Sequence, residues 1–111
     1  MQLLVLILKK LDLANTLMKC LVKAGVSGGT VLEGSGIAGE LMTMEDLPIF
    51  GMIRNILAEE DKEGCKVMLF VIKEEQLQDV RNVIHDVINL REPNTGILFS
   101  LPISYVEGFN E

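Results

Sequence analysis

A chain of 111 residues carries one hydrophobic core and is too short for two ordinary domains, so residues 1–111 read as a single domain. Apolar residues make up 49% and charged residues 23%, a balance that favours a packed core over a disordered chain. The formal charge of −6 argues against nucleic acid and anionic membrane faces as partners, because those surfaces select for clustered Lys and Arg, and only Lys9-Lys10 stand together.

The run Leu3-Leu4-Val5-Leu6-Ile7-Leu8 predicts a strand that is apolar on both faces. Such a strand belongs in the middle of a sheet, with helices on one side and another subunit on the other. It has no preceding basic residue and no small-residue cleavage site, and it is far shorter than the ~20 residues a membrane helix needs. Residues 12–24 follow with Ala14, Leu17, Met18 and Leu21 on a helical stripe, which Asp12 would cap and Gly25 would end. Gly28-Gly29 then turns the chain into a short strand, Thr30-Val31-Leu32-Glu33.

Segment 34–64 is far longer than the ~2–5 residues that usually join two hairpin strands. Within it, Asp46-Leu47-Pro48 resembles a helix start, and Ile49, Phe50, Ile53, Ile56 and Leu57 form an apolar stripe, predicting a short helix over 46–58. Residues 65–72 give a third strand, apolar on both faces like the first. Leu77, Val80, Ile84, Val87 and Ile88 then mark a second long helix, with Gln78, Arg81, Asn82, His85 and Asn89 opposite and no good cap at Lys73-Glu74. After the turn 91–96, residues 97–102 complete the order βαββαβ. The expected fold is therefore α+β and ferredoxin-like, an antiparallel sheet with two helices on one face.

Gly34-Ser35-Gly36-Ile37-Ala38-Gly39 fits GxGxxG after a strand, but a dinucleotide site needs a helix opening inside the motif and a parallel sheet. The next helix is expected only at 46, so the glycines read as an adaptable loop base where a ligand can approach the backbone. Cys20 and Cys65 have no CxxC or Cys/His spacing, which predicts reduced thiols, no metal site and a cytoplasmic setting. His85 reads as a surface residue, and Glu59-Glu60-Asp61-Lys62-Glu63 as a solvated connector. No nucleophile and base can be paired from the sequence, so the chain is expected not to be an enzyme. Met42, Met44 and Met52 beside the 46–58 stripe form an adaptable apolar surface. Its simplest role is to cover a sheet, and the alternative is to meet a partner through Met44, Ile49, Phe50 and Ile53.

The passage Ala24-Gly25-Val26-Ser27-Gly28-Gly29-Thr30-Val31, with Gly34-Ser35-Gly36 after it, resembles the helix-to-strand entry into the T-loop of the PII nitrogen-regulatory superfamily. Pro93-Asn94-Thr95-Gly96-Ile97-Leu98-Phe99-Ser100-Leu101-Pro102-Ile103 is similar to that family's glycine turn, last strand and following proline. The resemblance spans nearly the whole chain apart from 38–64, which takes the place of the T-loop. It implies a homotrimer with inward-facing sheets and effector pockets between subunits. It implies ligand contacts at Thr30, Gly36 and Gly96; Gly34, Ser35 and Asn94 in the same glycine segments are further candidates, and Arg91 is placed to reach a less charged ligand. Ile97 stands where the family has a phosphate-binding lysine, and the paired C-terminal arginines are absent. Glu40 replaces the effector-binding glutamine, and the loop holds no tyrosine for uridylylation. The resemblance is thus to a divergent member that takes a small effector or adenine nucleotide without the usual cations for ATP. The expected function is a trimeric signalling protein acting on a partner through 38–64. The alternative is a ligand-independent interaction module on the same fold.

Overall fold

The computed structural model describes residues 1–26, 28–42 and 64–109. The chain runs β1 (Gln2–Leu8), a 3-10 turn (Leu11–Leu13), α1 (Ala14–Lys23), β2 (Thr30–Gly34), α2 (Ile37–Met42), β3 (Cys65–Ile72), α3 (Glu74–Val87) and β4 (Gly96–Pro102). The four strands form one sheet in the order β2-β3-β1-β4, and every neighbouring pair is antiparallel. This is the expected α+β, ferredoxin-like βαββαβ arrangement, with β1 and β3 in the centre.

Strand periodicity sorts the side chains into two faces. Leu4, Leu6 and Leu8 of β1 and Met68, Phe70 and Ile72 of β3 point to the helices and are buried with Ala14, Leu17 and Leu21 of α1 and Val80 and Ile84 of α3. The alternate residues face the other way. Leu3, Val5 and Ile7 lie in register with Val71, Leu69 and Val67 on one side and with Leu101, Phe99 and Ile97 on the other. Leu32 joins the Ile7 row from β2. Neither α1 nor α3 lies over this face, and Ile97, Phe99, Leu101 and Leu32 are 58%, 41%, 50% and 48% exposed.

The helix ends differ from expectation in instructive ways. Asp12 does not cap α1, because Leu11–Leu13 tighten into a 3-10 turn and Leu13 becomes the N-cap without a side-chain bond. Gly25 does end α1, at φ +89, a conformation that costs a Cβ-bearing residue most. The start of α3 is better satisfied than Lys73-Glu74 suggested. The Lys73 backbone N–H donates to Gln76 Oε1 at 3.1 Å, the return half of a capping box.

A helix also opens inside the glycine motif, where none was expected before 46. α2 begins at Ile37, and Glu40 N–H donates to the Gly36 carbonyl at 3.0 Å. The topology still differs from that of a Rossmann site, since among the described residues β2 has one antiparallel neighbour and no strand pair is parallel. The expected 46–58 helix, with Met44, Ile49, Phe50 and Ile53, lies outside the described residues.

Candidate functional site

Register places the two glycine segments at one end of the sheet. Gly34 pairs with Cys65, Lys66 with Leu8, and Leu8 with Gly96. Gly34-Ser35-Gly36 therefore leaves the β2 edge at the same end where Asn94-Thr95-Gly96 enters the β4 edge. Three inter-strand spacings separate the two edges, about 14 Å. Thr30 is not part of this end. It lies four residues back along β2, about 13 Å away, in the row Thr30, Leu69, Val5, Phe99 on the open face.

The β4 side of this end is firmly built. Lys9 and Lys10 donate their backbone N–H groups to the Thr95 carbonyl at 2.9 and 3.3 Å. Asn94 takes φ +60, which Asn tolerates through local side-chain bonding. Gly96 takes φ +157, and a Cβ there would stand 2.4 Å from the Ile7 carbonyl oxygen. Among the described residues the buried Thr95 hydroxyl has no hydrogen-bond partner, so its burial goes uncompensated there. Arg91 is exposed in the turn, its N–H on Asn89 Oδ1 at 3.2 Å.

Lys10 Nζ meets Glu92 Oε2 at 2.6 Å and ties the turn to the end of β1. The hydrogen bond from Lys10 holds the Glu92 carboxyl below its ordinary value, and the same bond raises Lys10. A depressed carboxylate contributes its stability above its unfolded pKa and loses it as pH falls through the folded one. The clasp therefore holds at neutral pH and opens in acid. In Lys10→Met the Glu92 carboxyl is expected to titrate at higher pH than in the parent, followed by carbon NMR. An unmoved midpoint would show that the pair does not form in solution.

The β2 side is closed on itself. The Ser35 hydroxyl donates to the Glu40 carboxylate, which α2 brings back over the loop base. Glu40 is thus engaged with Ser35, and a ligand at Ser35 has to displace it. Lys66 Nζ lies 3.9 Å from Glu33 Oε1 beside the same strand end. Among the described residues no three His, Cys, Asp or Glu side chains gather as a metal ligand set, and no helix is long and apolar enough to cross a membrane.

Comparison with known proteins identifies the fold alone. No family model and no curated protein matches the chain. Among solved structures, the chain is similar to a functionally unknown protein from Pediococcus pentosaceus ATCC 25745, at 18% identity and a TM-score of 0.61. The match covers 97% of this chain and 96% of that one.

Proposed function

We propose that the chain is a non-enzymatic, PII-like regulator that assembles as a homotrimer in the cytoplasm and binds a small effector between subunits. The observation that carries this reading is the open sheet face. Leu3, Val5, Ile7, Val67, Leu69, Val71, Ile97, Phe99 and Leu101 form a continuous apolar surface that neither long helix covers. Its β4 residues Ile97, Phe99 and Leu101 are exposed while Val5 at its centre is buried, and an apolar patch on an edge strand marks an interaction site. Copies of the same surface are its simplest partner, because each presents the same unsatisfied face.

Packing of the sheets brings the β2 edge of one copy towards the β4 edge of the next, and so joins Gly34-Ser35-Gly36 to Asn94-Thr95-Gly96. The pocket so formed offers backbone groups, the Thr95 hydroxyl and Arg91, which suit a ligand of low negative charge. Segment 38–64 springs from this pocket and carries the signal to a partner protein. The Ser35–Glu40 bond favours the rival reading, a ligand-independent interaction module, because it satisfies the loop base with nothing bound.

Thermal unfolding of the full chain with ADP, AMP or bicarbonate separates the two readings. A ligand at a hundred times its Kd that binds only the native state adds about 2.7 kcal/mol. A raised midpoint with one of these compounds, abolished by Gly36→Trp, is expected. Flat midpoints throughout the panel favour the module. A folded monomer in sedimentation would remove the trimer.

A further inference from the structure

A cleft of about 220 Å³ opens between α3 and β4 on the helix side of the sheet. Leu4, Leu90 and Leu98 give it apolar walls, while Arg81 and His85 of α3 and Ser100 of β4 also line it. Arg81 and His85 are four residues apart, so they share one helix face. Ser100 stands opposite Leu4, two residues beyond Leu98, at a position where the sheet otherwise presents Leu4, Leu6, Leu98 and Phe70 to the helices. A hydroxyl in that row does nothing for the core.

Three donor groups from two elements thus converge on one small cleft. Among the described residues Arg81 and His85 pair with no carboxylate, and the Ser100 hydroxyl has no protein partner. Arg offers a fork of donors and no acceptor, so the arrangement selects an anion. A planar carboxylate presents two oxygens, whereas a phosphate presents three and can engage guanidinium, imidazole and hydroxyl together. We infer that the cleft formed by Arg81, His85 and Ser100 binds a phosphate group, free or at the end of a small metabolite.

The cleft lies about 13 Å along β4 from Gly96, on the helix side of the sheet, so it stands whether or not an effector binds at the glycine end. Proton–nitrogen NMR of the full chain, titrated with inorganic phosphate and separately with glycerol phosphate, tests it. The expected result is saturable shifts at Arg81 Nε, the His85 ring and the Ser100 amide. Stronger binding of glycerol phosphate assigns a phosphomonoester, and equal or weaker binding assigns the free anion.

Arg81 is exposed, so Arg81→Gln keeps the fold while removing the charged fork. It is expected to weaken binding by at least about tenfold, the scale of one lost charge-assisted hydrogen bond, with a smaller loss in Ser100→Ala. Three outcomes would overturn the inference. These are no saturable shift with either compound, equal shifts from sodium chloride at matched ionic strength, and unchanged affinity in Arg81→Gln.

Discussion

Phe99→Asp is expected to yield a folded monomer in place of the trimer proposed for the parent chain. Phe99 sits on edge strand β4 on the open face, 41% exposed and in register with the buried Val5. Its ring faces away from the helix-side core, so the substitution leaves Leu4, Leu6, Leu98 and Ile84 in place. In an assembled sheet face the new carboxylate has no partner and no water, and such a change at an interface centre costs about 2–4 kcal/mol. The corresponding weakening of association is roughly thirty-fold to a thousandfold. Sedimentation equilibrium over a range of concentrations measures it, with far-ultraviolet circular dichroism to show that secondary structure is retained. If parent and variant sediment alike, the open face is not the assembly surface and the regulatory reading loses its support.

The second large effect is expected at Gly96. Its φ of +157 is a conformation that side chains rarely adopt, and an added Cβ would stand 2.4 Å from the Ile7 carbonyl oxygen and 3.3 Å from Leu8 Cα. Both obstacles are backbone of the central strand, so relief requires β1 and β4 to part at the end where Lys9 and Lys10 bind the Thr95 carbonyl. Gly96→Ala should therefore cost about 3 kcal/mol or more. Gly28→Ala, where a Cβ meets nothing within 4 Å, provides the control and should stay within about 0.5 kcal/mol. Urea unfolding reads both, as a fall in midpoint at constant slope for the first and little change for the second. Equal midpoints would mean that the turn relaxes at no cost.

Much of this architecture is legible in the sequence, and the reasons are local. β3 was expected over 65–72 and forms over Cys65–Ile72, because a continuous apolar run flanked by Gly64 and the acidic start of α3 leaves little choice. The stripe from Leu77 to Ile88 fixed the inward face of α3, where Val80 and Ile84 are buried. Where reading failed, competing local chemistry or distant contact was responsible. Asp12 looked like a cap, but the chain spends Leu11–Leu13 in a tighter turn first. α2 was missed because Gly39 lowers helix propensity in a six-residue segment, which the Ser35–Glu40 bond and the Gly36 carbonyl help to hold.

The candidate site was legible only in part. Gly34, Ser35, Gly36, Asn94 and Gly96 do gather at one end of the sheet, but on opposite edges, and strand order rather than spacing decides that. Thr30 joins them only through the PII resemblance, and within one chain an extended strand places it about 13 Å from Gly34. Spacing in sequence does not join Ser100 to His85, because the two come from different elements and meet only when α3 packs over β4. A single polar residue within the alternating pattern of β4 was the available sign.

The interleaving within β1 has an evolutionary corollary. Even-numbered residues pack under the helices and odd-numbered ones line the proposed assembly face, so in that reading each set can drift without disturbing the other. A one-residue deletion in Leu3–Leu8 has no such freedom. It would exchange the two sets along the rest of the strand, so the character of this face can change by substitution at these positions but not by a change in strand length.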